Sequence, residues 1–402
     1  MKPSGYNYAF CVPRYGAEIA GGAEALVREL AQALAFQGHS VDVLTTCAKD
    51  NRTWQNEYLA GTEVIDGVTV RRFKVDERNL DKWLAVELQI HEGRRPPIDK
   101  QIEWMEESVN SLQLYEYIFQ NAGNYKAIFF APYLFGTTFW GSQIAPKKSV
   151  LIPCLHDENY AYLEIMNVMF HKVRGCIFNS SAEKDLASRL FGDLKGGEVG
   201  MGFKLSAHKN EFSPYFSDMF PYLLYFGRKE TGKNLHLLVD YFVSLKESGF
   251  CPELKLVIAG GGDITDIGRE DAVQREDIID LGFLSESEKQ RLIRHSLAVC
   301  QPSVNESFSI VLMEAWELER PVIVHARCPV TREHVLESGG GLYFSSPEDF
   351  AGIIERMLKD RELCLQMGQC GRLYVERKYN RDSVMKRFEN TLRVIFGDGS
   401  ES

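Results

Sequence analysis

A chain of 402 residues is too long for one small core and reads as two domains, with apolar and charged fractions ordinary for a globular protein. The formal net charge of -10 argues against non-specific binding of nucleic acid or anionic membrane, whose phosphates select excess Lys and Arg. Nine cysteines stand singly with no C-x-x-C pair, the N-terminus lacks a signal-peptide pattern and no stretch reaches transmembrane length, so free thiols in a cytoplasmic protein are expected, without a zinc or redox motif.

Residues 8–12 are a short apolar run of strand character. They lead into a loop ending at Gly21 and Gly22, a helix with apolar residues at helical spacing over 23–34 that closes at Gly38, and a strand over 41–46. Strand, glycine loop, helix, strand is a βαβ unit and points to a doubly wound parallel sheet. Glycines at the helix mouth either admit a ligand to the backbone N–H dipoles or make a tight turn. No G-x-G-x-x-G is present, so there is no dinucleotide fingerprint.

Asp66-Gly67 is a turn before a strand over 68–73. From 76 to 117 the chain is less regular, with Trp83 and Trp104 on helices broken at Arg94-Arg95-Pro96-Pro97. This excursion reads as a helical cap over the sheet, with an acceptor pocket or weak membrane docking as alternatives. Strands over 127–130 and 149–152 follow, and the second opens into Pro153-Cys154-Leu155-His156-Asp157-Glu158-Asn159. His156 and its two carboxylates thus fall just past a strand end, where open α/β sheets place ligands. A strand over 175–178 and a helix capped by Asn179-Ser180-Ser181 and running to Leu190 follow, and residues 198–201 end the first half.

Residues 204–220 lose the period and read as a linker. A strand over 222–226 then runs into Gly227-Arg228-Lys229-Glu230-Thr231-Gly232-Lys233-Asn234 and a helix from Leu235. The octapeptide nearly matches the phosphate-binding G-x-x-x-x-G-K-[ST], but Asn234 has no hydroxyl for a magnesium ion. What remains is two cations, Arg228 and Lys233, at a helix mouth suited to a diphosphate, or two solvated loop residues. Further strands are expected over 254–259, ending in Gly260-Gly261-Gly262-Asp263, over 278–283, ending in Gly282-Phe283, and over 297–301 and 321–325. Glu333 reads as a loop residue before Gly339-Gly340-Gly341, and helices follow over 347–359, 361–378 and 381–396.

Residues 304–316, VNESFSIVLMEAW, set Glu306 and Glu314 eight apart. A helix opening just after Glu306 would put the second carboxylate roughly 12 Å further on, with free first-turn N–H groups between them. That is two hydroxyl-binding carboxylates around an anion site, although an amphipathic helix with two solvated glutamates has the same spacing.

In this order, GGAE at 21–24, HDE at 156–158, NSSAEKDL at 179–186, GRKETGKN at 227–234, the GGGD turn, LGF at 281–283 and the E-x7-E of Glu306 and Glu314 resemble the retaining glycosyltransferases of family 4. The resemblance implies an α/β protein of GT-B fold, two doubly wound Rossmann-like domains facing across a cleft. The acceptor domain would span 1–203, with a last helix at about 381–402 crossing back to it, and the donor domain 221–380. It also implies a nucleotide-diphosphate sugar donor, UDP- or GDP-linked, bound mainly by the C-terminal domain. Arg228 and Lys233 would hold the diphosphate, helped by the N–H groups near Phe308, Ser309 and Ile310. Glu306 would contact the donor sugar, Glu314 the ribose hydroxyls and the backbone near Gly282 and Phe283 the base. Gly22, beside Gly21, would let the N-terminal domain meet the phosphates, and His156 would sit near the transferred sugar.

Two departures from the family pattern are Ser307 and Ser309, where glycines are usual, and Arg327-Cys328-Pro329, where small residues are usual. Serine is less free than glycine to take positive φ. The expected reaction is transfer of a sugar, with retained anomeric configuration, to a hydroxyl of a glycan, glycolipid or small-molecule acceptor. No nucleic-acid partner is expected and at most weak peripheral membrane contact. No D-x-D occurs, so neither a metal nor another cofactor is expected. Competing readings are a sugar-nucleotide epimerase or phosphorylase of the same architecture, and a non-catalytic nucleotide-sugar sensor.

Overall fold

The computed structural model describes residues 5–19, 21–204 and 213–397, apart from the side chain of Val273. Residues 205–212 of the expected linker and 398–402 of the expected last helix lie outside the described residues. The chain divides into two compact units, Met1–Gly202 with Arg381–Ser402, and Phe203–Asn380.

The first unit is built on eight strands: β1 (Asn7–Cys11), β2 (Ser40–Thr46), β3 (Gly61–Ile65), β4 (Val68–Phe73), β5 (Ala127–Phe130), β6 (Ser149–Leu151), β7 (Gly175–Phe178) and β8 (Gly196–Glu198). Their order in the sheet is β3-β4-β2-β1-β5-β6-β7-β8, and every pair is parallel except β3 with β4. Strands β2, β5 and β7 are buried almost throughout, as befits a parallel sheet covered on both faces, and β5 and β7 therefore read as unbroken apolar runs. Strand β3 escapes that reading because four of its five residues are exposed. Asp66 and Gly67, at φ 51 and 81, make the two-residue turn that joins it to β4, and positive φ at both central positions is what a tight hairpin of this kind requires.

The excursion contributes helices Leu80–His91 and Ile98–Glu106, which bury Val86, Ile90, Trp104 and Met105 in the main core of this unit. Burial of that side of both helices holds them on the sheet, as a cap requires. The last helix, Arg381–Phe396, also belongs to the first unit: Phe388 packs on Phe129 at 5.3 Å, and Arg381 forks onto Glu29 at 2.6 and 2.8 Å.

The second unit has six strands, β9 (Tyr222–Phe226), β10 (Lys255–Ala259), β11 (Ile278–Asp280), β12 (Ala298–Gln301), β13 (Val322–His325) and β14 (Gly341–Phe344). All pairs are parallel, in the order β11-β10-β9-β12-β13-β14. Strand β11 stops at Asp280, short of the expected 283, because Gly282 turns the chain at φ 65. Strand β14 hides behind the glycine run at 339–341, and Glu333 lies on the helix Pro329–Ser338 rather than in a loop. Residues 213–220 pack on this unit, with the rings of Phe216 and Phe220 at 5.6 and 6.0 Å from Tyr222. Since β11, β10, β9 and β12 are neighbours, the loops leaving their C-terminal ends gather along one edge of the sheet.

None of the nine cysteines forms a disulfide. Among the described residues no helix is long and apolar enough to cross a membrane.

Candidate functional site

The loop after β9 carries Arg228 and Lys233. A short turn, Thr231–Lys233, ends at Asn234 in the left-handed conformation (φ 55, ψ 25), from which the helix Leu235–Glu247 starts. Asparagine is among the few residues that enter this region cheaply, and its side-chain amide donates to the Pro302 carbonyl at 3.2 Å. The residue that breaks the P-loop signature thus ties the loop after β9 to the loop after β12. Lys233 Nζ reaches Glu306 Oε1 at 2.8 Å, and Gln301 Nε2 donates to the same oxygen at 2.9 Å. Arg228 is mostly exposed and pairs with Glu230 at 3.1 Å.

The helix of the E-x7-E stretch begins at Ile310, not just after Glu306, and ends at Glu317. Glu306 therefore stands in the loop, and the expected first-turn amides shift: Ile310 opens the helix, Ser309 is its N-cap and Phe308 lies before it. Ser309 takes positive φ after all (φ 66, ψ 80), although it is not glycine, and its buried Oγ has no hydrogen-bond partner. Leu312 N–H returns to the Ser309 carbonyl at 3.2 Å, while Ile310 and Val311 occupy the positions that have no intrahelical acceptor. The Phe308 side chain is buried against Tyr379 and His334, at 5.0 and 5.5 Å between ring centroids, so only its backbone is available to a ligand.

Glu314, one turn into that helix, is bonded by Lys289 Nζ at 2.7 Å, and Lys289 also holds Glu286 at 2.8 Å. Burial pushes the Glu314 carboxyl above its ordinary range, and the Lys289 ammonium pulls it back. A third pair, Lys229 with Asp280 at 2.6 Å, joins the loop after β9 to the end of β11. Gly282 donates its N–H to Asp280 Oδ1 at 3.1 Å and gives its carbonyl to Gly260 N–H at 2.7 Å, so most of its backbone is already engaged. The Phe283 ring beside it is 74% exposed.

In the first unit, Gly21 is the extended N-cap of the helix Gly22–Phe36, and a Cβ on it would strike the Glu24 carboxylate. A Cβ on Gly22 would meet nothing within 4 Å, so no packing demand explains that glycine. His156 Nδ1 lies 3.7 Å from Glu158 Oε1, and Glu158 accepts from the Tyr133 hydroxyl at 2.8 Å. The path of this loop is set by Glu183, which is buried in the first turn of helix Ser181–Phe191 and accepts the amides of Leu155, at 2.6 Å, and Asn179. Burial raises the Glu183 carboxyl to about 8, against the pull of those amides.

The structure thus brings together, on one sheet edge of the second unit, Arg228, Lys233, Glu306, Ser309, Ile310, Glu314, Gly282 and Phe283. Gln301, Lys289, Lys229 and Asp280 complete this set and were not singled out from the sequence. Gln301 had a signal, a polar residue closing the buried strand β12, whereas Lys289 on an otherwise polar helix had none. Among the described residues no three or more His, Cys, Asp or Glu gather as a metal site.

Residues 207–374, most of the second unit, match the family described as Glycosyl transferases group 1. An uncharacterized glycosyltransferase of Methanocaldococcus jannaschii is 27% identical over 178 residues, 43% of this chain and 44% of that protein. Glycosyltransferase 1 domain-containing protein 1 of Xenopus tropicalis is 27% identical over 97 residues, 24% of this chain and 28% of that protein. The chain spans less than half the length of these curated relatives. Among solved structures, sucrose-phosphate synthase from Thermosynechococcus elongatus is similar over 97% of this chain and 99% of its own, at 17% identity and a TM-score of 0.71. The Anabaena protein HepE, solved in complex with UDP-glucose, is similar over 96% and 99%, at 15% identity and a TM-score of 0.68. The likeness to these solved structures gives the chain the GT-B fold.

Proposed function

We propose that the protein is a retaining glycosyltransferase that moves a sugar from a UDP- or GDP-linked donor to a hydroxyl of a glycan, glycolipid or small-molecule acceptor, without a metal. The observation that carries this reading is the convergence at one sheet edge of Arg228 and Lys233, the Glu306 carboxylate bonded to Lys233, and the first-turn amides of helix Ile310–Glu317. Cations and helix N-terminal amides suit a diphosphate, and carboxylates suit sugar hydroxyls. HepE, of the same fold, was solved with UDP-glucose, which favours the same class of donor here.

In the proposed reaction the bond from the anomeric carbon to the diphosphate breaks, and its electron pair stays on the phosphate oxygen. The acceptor oxygen bonds to the same carbon on the same face and passes its proton to a phosphate oxygen. No carboxylate nucleophile is needed, unlike in a retaining hydrolase. Arg228, Lys233 and the amides of Ser309 and Ile310 stabilise the charge that grows on the leaving diphosphate. Glu306 binds the sugar, Glu314 the ribose and the Gly282–Phe283 turn the base. His156 is assigned to the transferred sugar and the Gly21–Gly22 pair to admission of the phosphates.

A thermal-shift panel of UDP-, GDP- and ADP-sugars tests the donor class, since a ligand of the folded state raises the midpoint by an amount set by its concentration over Kd. Transfer is then followed with the stabilising donor in EDTA, and the anomeric configuration of the product is read by NMR. Inverted product, or activity abolished by EDTA and restored by manganese, would refute the corresponding part.

A further inference from the structure

The loops after β9, β10 and β11 are bonded to one another at several points. Lys229 N–H donates to the Gly261 carbonyl at 2.8 Å, and Gly260 N–H to the Gly282 carbonyl at 2.7 Å. Gly260, at φ 125, lies so close to the loop after β9 that a Cβ would sit 2.1 Å from the Gly227 carbonyl oxygen. Across this frame runs one ion pair, Lys229 to Asp280 at 2.6 Å. The Lys229 side chain is only 3% exposed, and Asp280 Oδ1 also receives the amide of Gly282, the residue whose left-handed turn delivers Phe283. The Phe283 ring lies 3.4 Å from where a Cβ of Gly261 would stand, and the residue is largely open to solvent.

A lysine buried this deeply is tolerated because its charge is paired, and removing one partner leaves the other uncompensated. The Oδ1 atom therefore does two things: it neutralises Lys229 and fixes the turn that presents an aromatic face. We propose that Lys229 and Asp280 are a positioning pair that holds these loops as one platform for the aromatic base of the donor, with Phe283 as its stacking face. The proposal rests on the nucleotide-sugar reading above. Base stacking on an aromatic side chain is strong enough to be measured by substitution and tolerates different bases.

The test uses the full chain and two probes, the nucleoside diphosphate bound best among UDP, GDP and ADP, and inorganic pyrophosphate, which has no base. Lys229→Met is expected to raise the Kd of the nucleoside diphosphate about tenfold and leave that of pyrophosphate within about twofold. In transfer assays the donor KM rises while kcat holds, and Lys229→Arg recovers most of the loss. Phe283→Ala, an exposed change that the fold tolerates, gives the same split even if the buried variant fails to fold. A merely structural pair would lower the melting temperature of Lys229→Met and leave the ratio of the two Kd values unchanged, which overturns the pair. An unchanged ratio in Phe283→Ala overturns the platform. Failure of the wild-type protein to bind any of the three diphosphates overturns the nucleotide-sugar reading itself.

Discussion

Both units carry polar loops at the C-terminal ends of parallel strands, yet the carboxylates around Glu306 and those around the His156 loop are held by different means. In the second unit Asp280, Glu306 and Glu314 are each bonded by a lysine from another segment, Lys229, Lys233 and Lys289. In the first unit Glu183 is held by the amides of Leu155 and Asn179, and Glu158 accepts from the Tyr133 hydroxyl. An ammonium has three donors on a flexible stem, so one of its anions can be joined or replaced by another. Amide and hydroxyl donors bring no net charge, and a buried carboxylate bonded only by them keeps a raised proton affinity. The loops around Glu306 suit the exchange of anions, and the His156 loop, tied through Glu183, suits a fixed chain path.

The largest effect expected from this contrast is on activity. Lys233→Met should lower kcat by roughly a hundredfold, the scale seen when one donor to a developing charge is removed, and Glu306→Gln should come next, because that carboxylate holds the Lys233 ammonium in place as well as facing the sugar. His156→Ala should cost less, because that side chain offers a sugar contact rather than charge neutralisation. A ranking with His156 first, from steady-state kinetics on the stabilising donor, would break the comparison.

Acid should weaken the second unit through His334. This imidazole lies under Phe308 with Tyr374 Oη at 2.9 Å from Nδ1, and burial, with Lys378 nearby, lowers its pKa to about 3. In the unfolded chain a histidine titrates near ~6.5. Below that pH the unfolded state takes a proton the folded state refuses, so stability present above pH ~6.5 is lost as pH falls toward 3. The loss should be about 2 kcal/mol between pH 7 and 5, read by chemical denaturation. His334→Gln should flatten that limb; an unchanged slope would exclude His334 as its source.

Alkali should act on the first unit, with the opposite sign. Glu183 binds its proton more tightly folded, at about 8, than unfolded, near ~4.3. Its contribution is complete below pH ~4.3 and is lost as pH rises through about 8, a loss of about 1.4 kcal/mol between pH 7 and 9. Glu183→Gln should remove this dependence, and a wild-type midpoint that rose over the same window would contradict the assignment.

These particulars show what the sequence could carry. Arg228, Lys233 and Glu306 are legible because loops that bind anions or sugars need those residue types at strand ends, and helix or glycine punctuation marks the ends. Lys229 and Lys289 are not legible, since a lysine in a polar stretch looks the same whether it faces water or a buried carboxylate 25 residues away, as Lys289 faces Glu314. Strand β3 was hidden by its exposure and β14 by the glycines before it, whereas the deeply buried strands announced themselves. The start of the helix at Ile310 was missed because SFSI offers two serines, and only the structure shows that Ser309 leaves the helical path as an N-cap whose hydroxyl caps nothing.

The smallest effect concerns that same serine. Ser309 costs stability twice, once for a left-handed backbone, about 1 kcal/mol for a residue with a Cβ, and once for a buried hydroxyl without a partner, about 1 kcal/mol or more. Glycine would remove both and give back about 0.5–1 kcal/mol through the greater freedom of the unfolded chain. Ser309→Gly should therefore stabilise the protein by roughly 1–1.5 kcal/mol, while Ser309→Ala, which keeps the strain, should gain only about 1 kcal/mol. If Ser309→Gly instead lowered the midpoint, the left-handed turn would not be the cost it is taken for. If it were stabilised but lost affinity for pyrophosphate, the strained serine would be one of the groups that place the Ile310 amide on the phosphates, and the second unit would give up stability at the point where it exchanges anions.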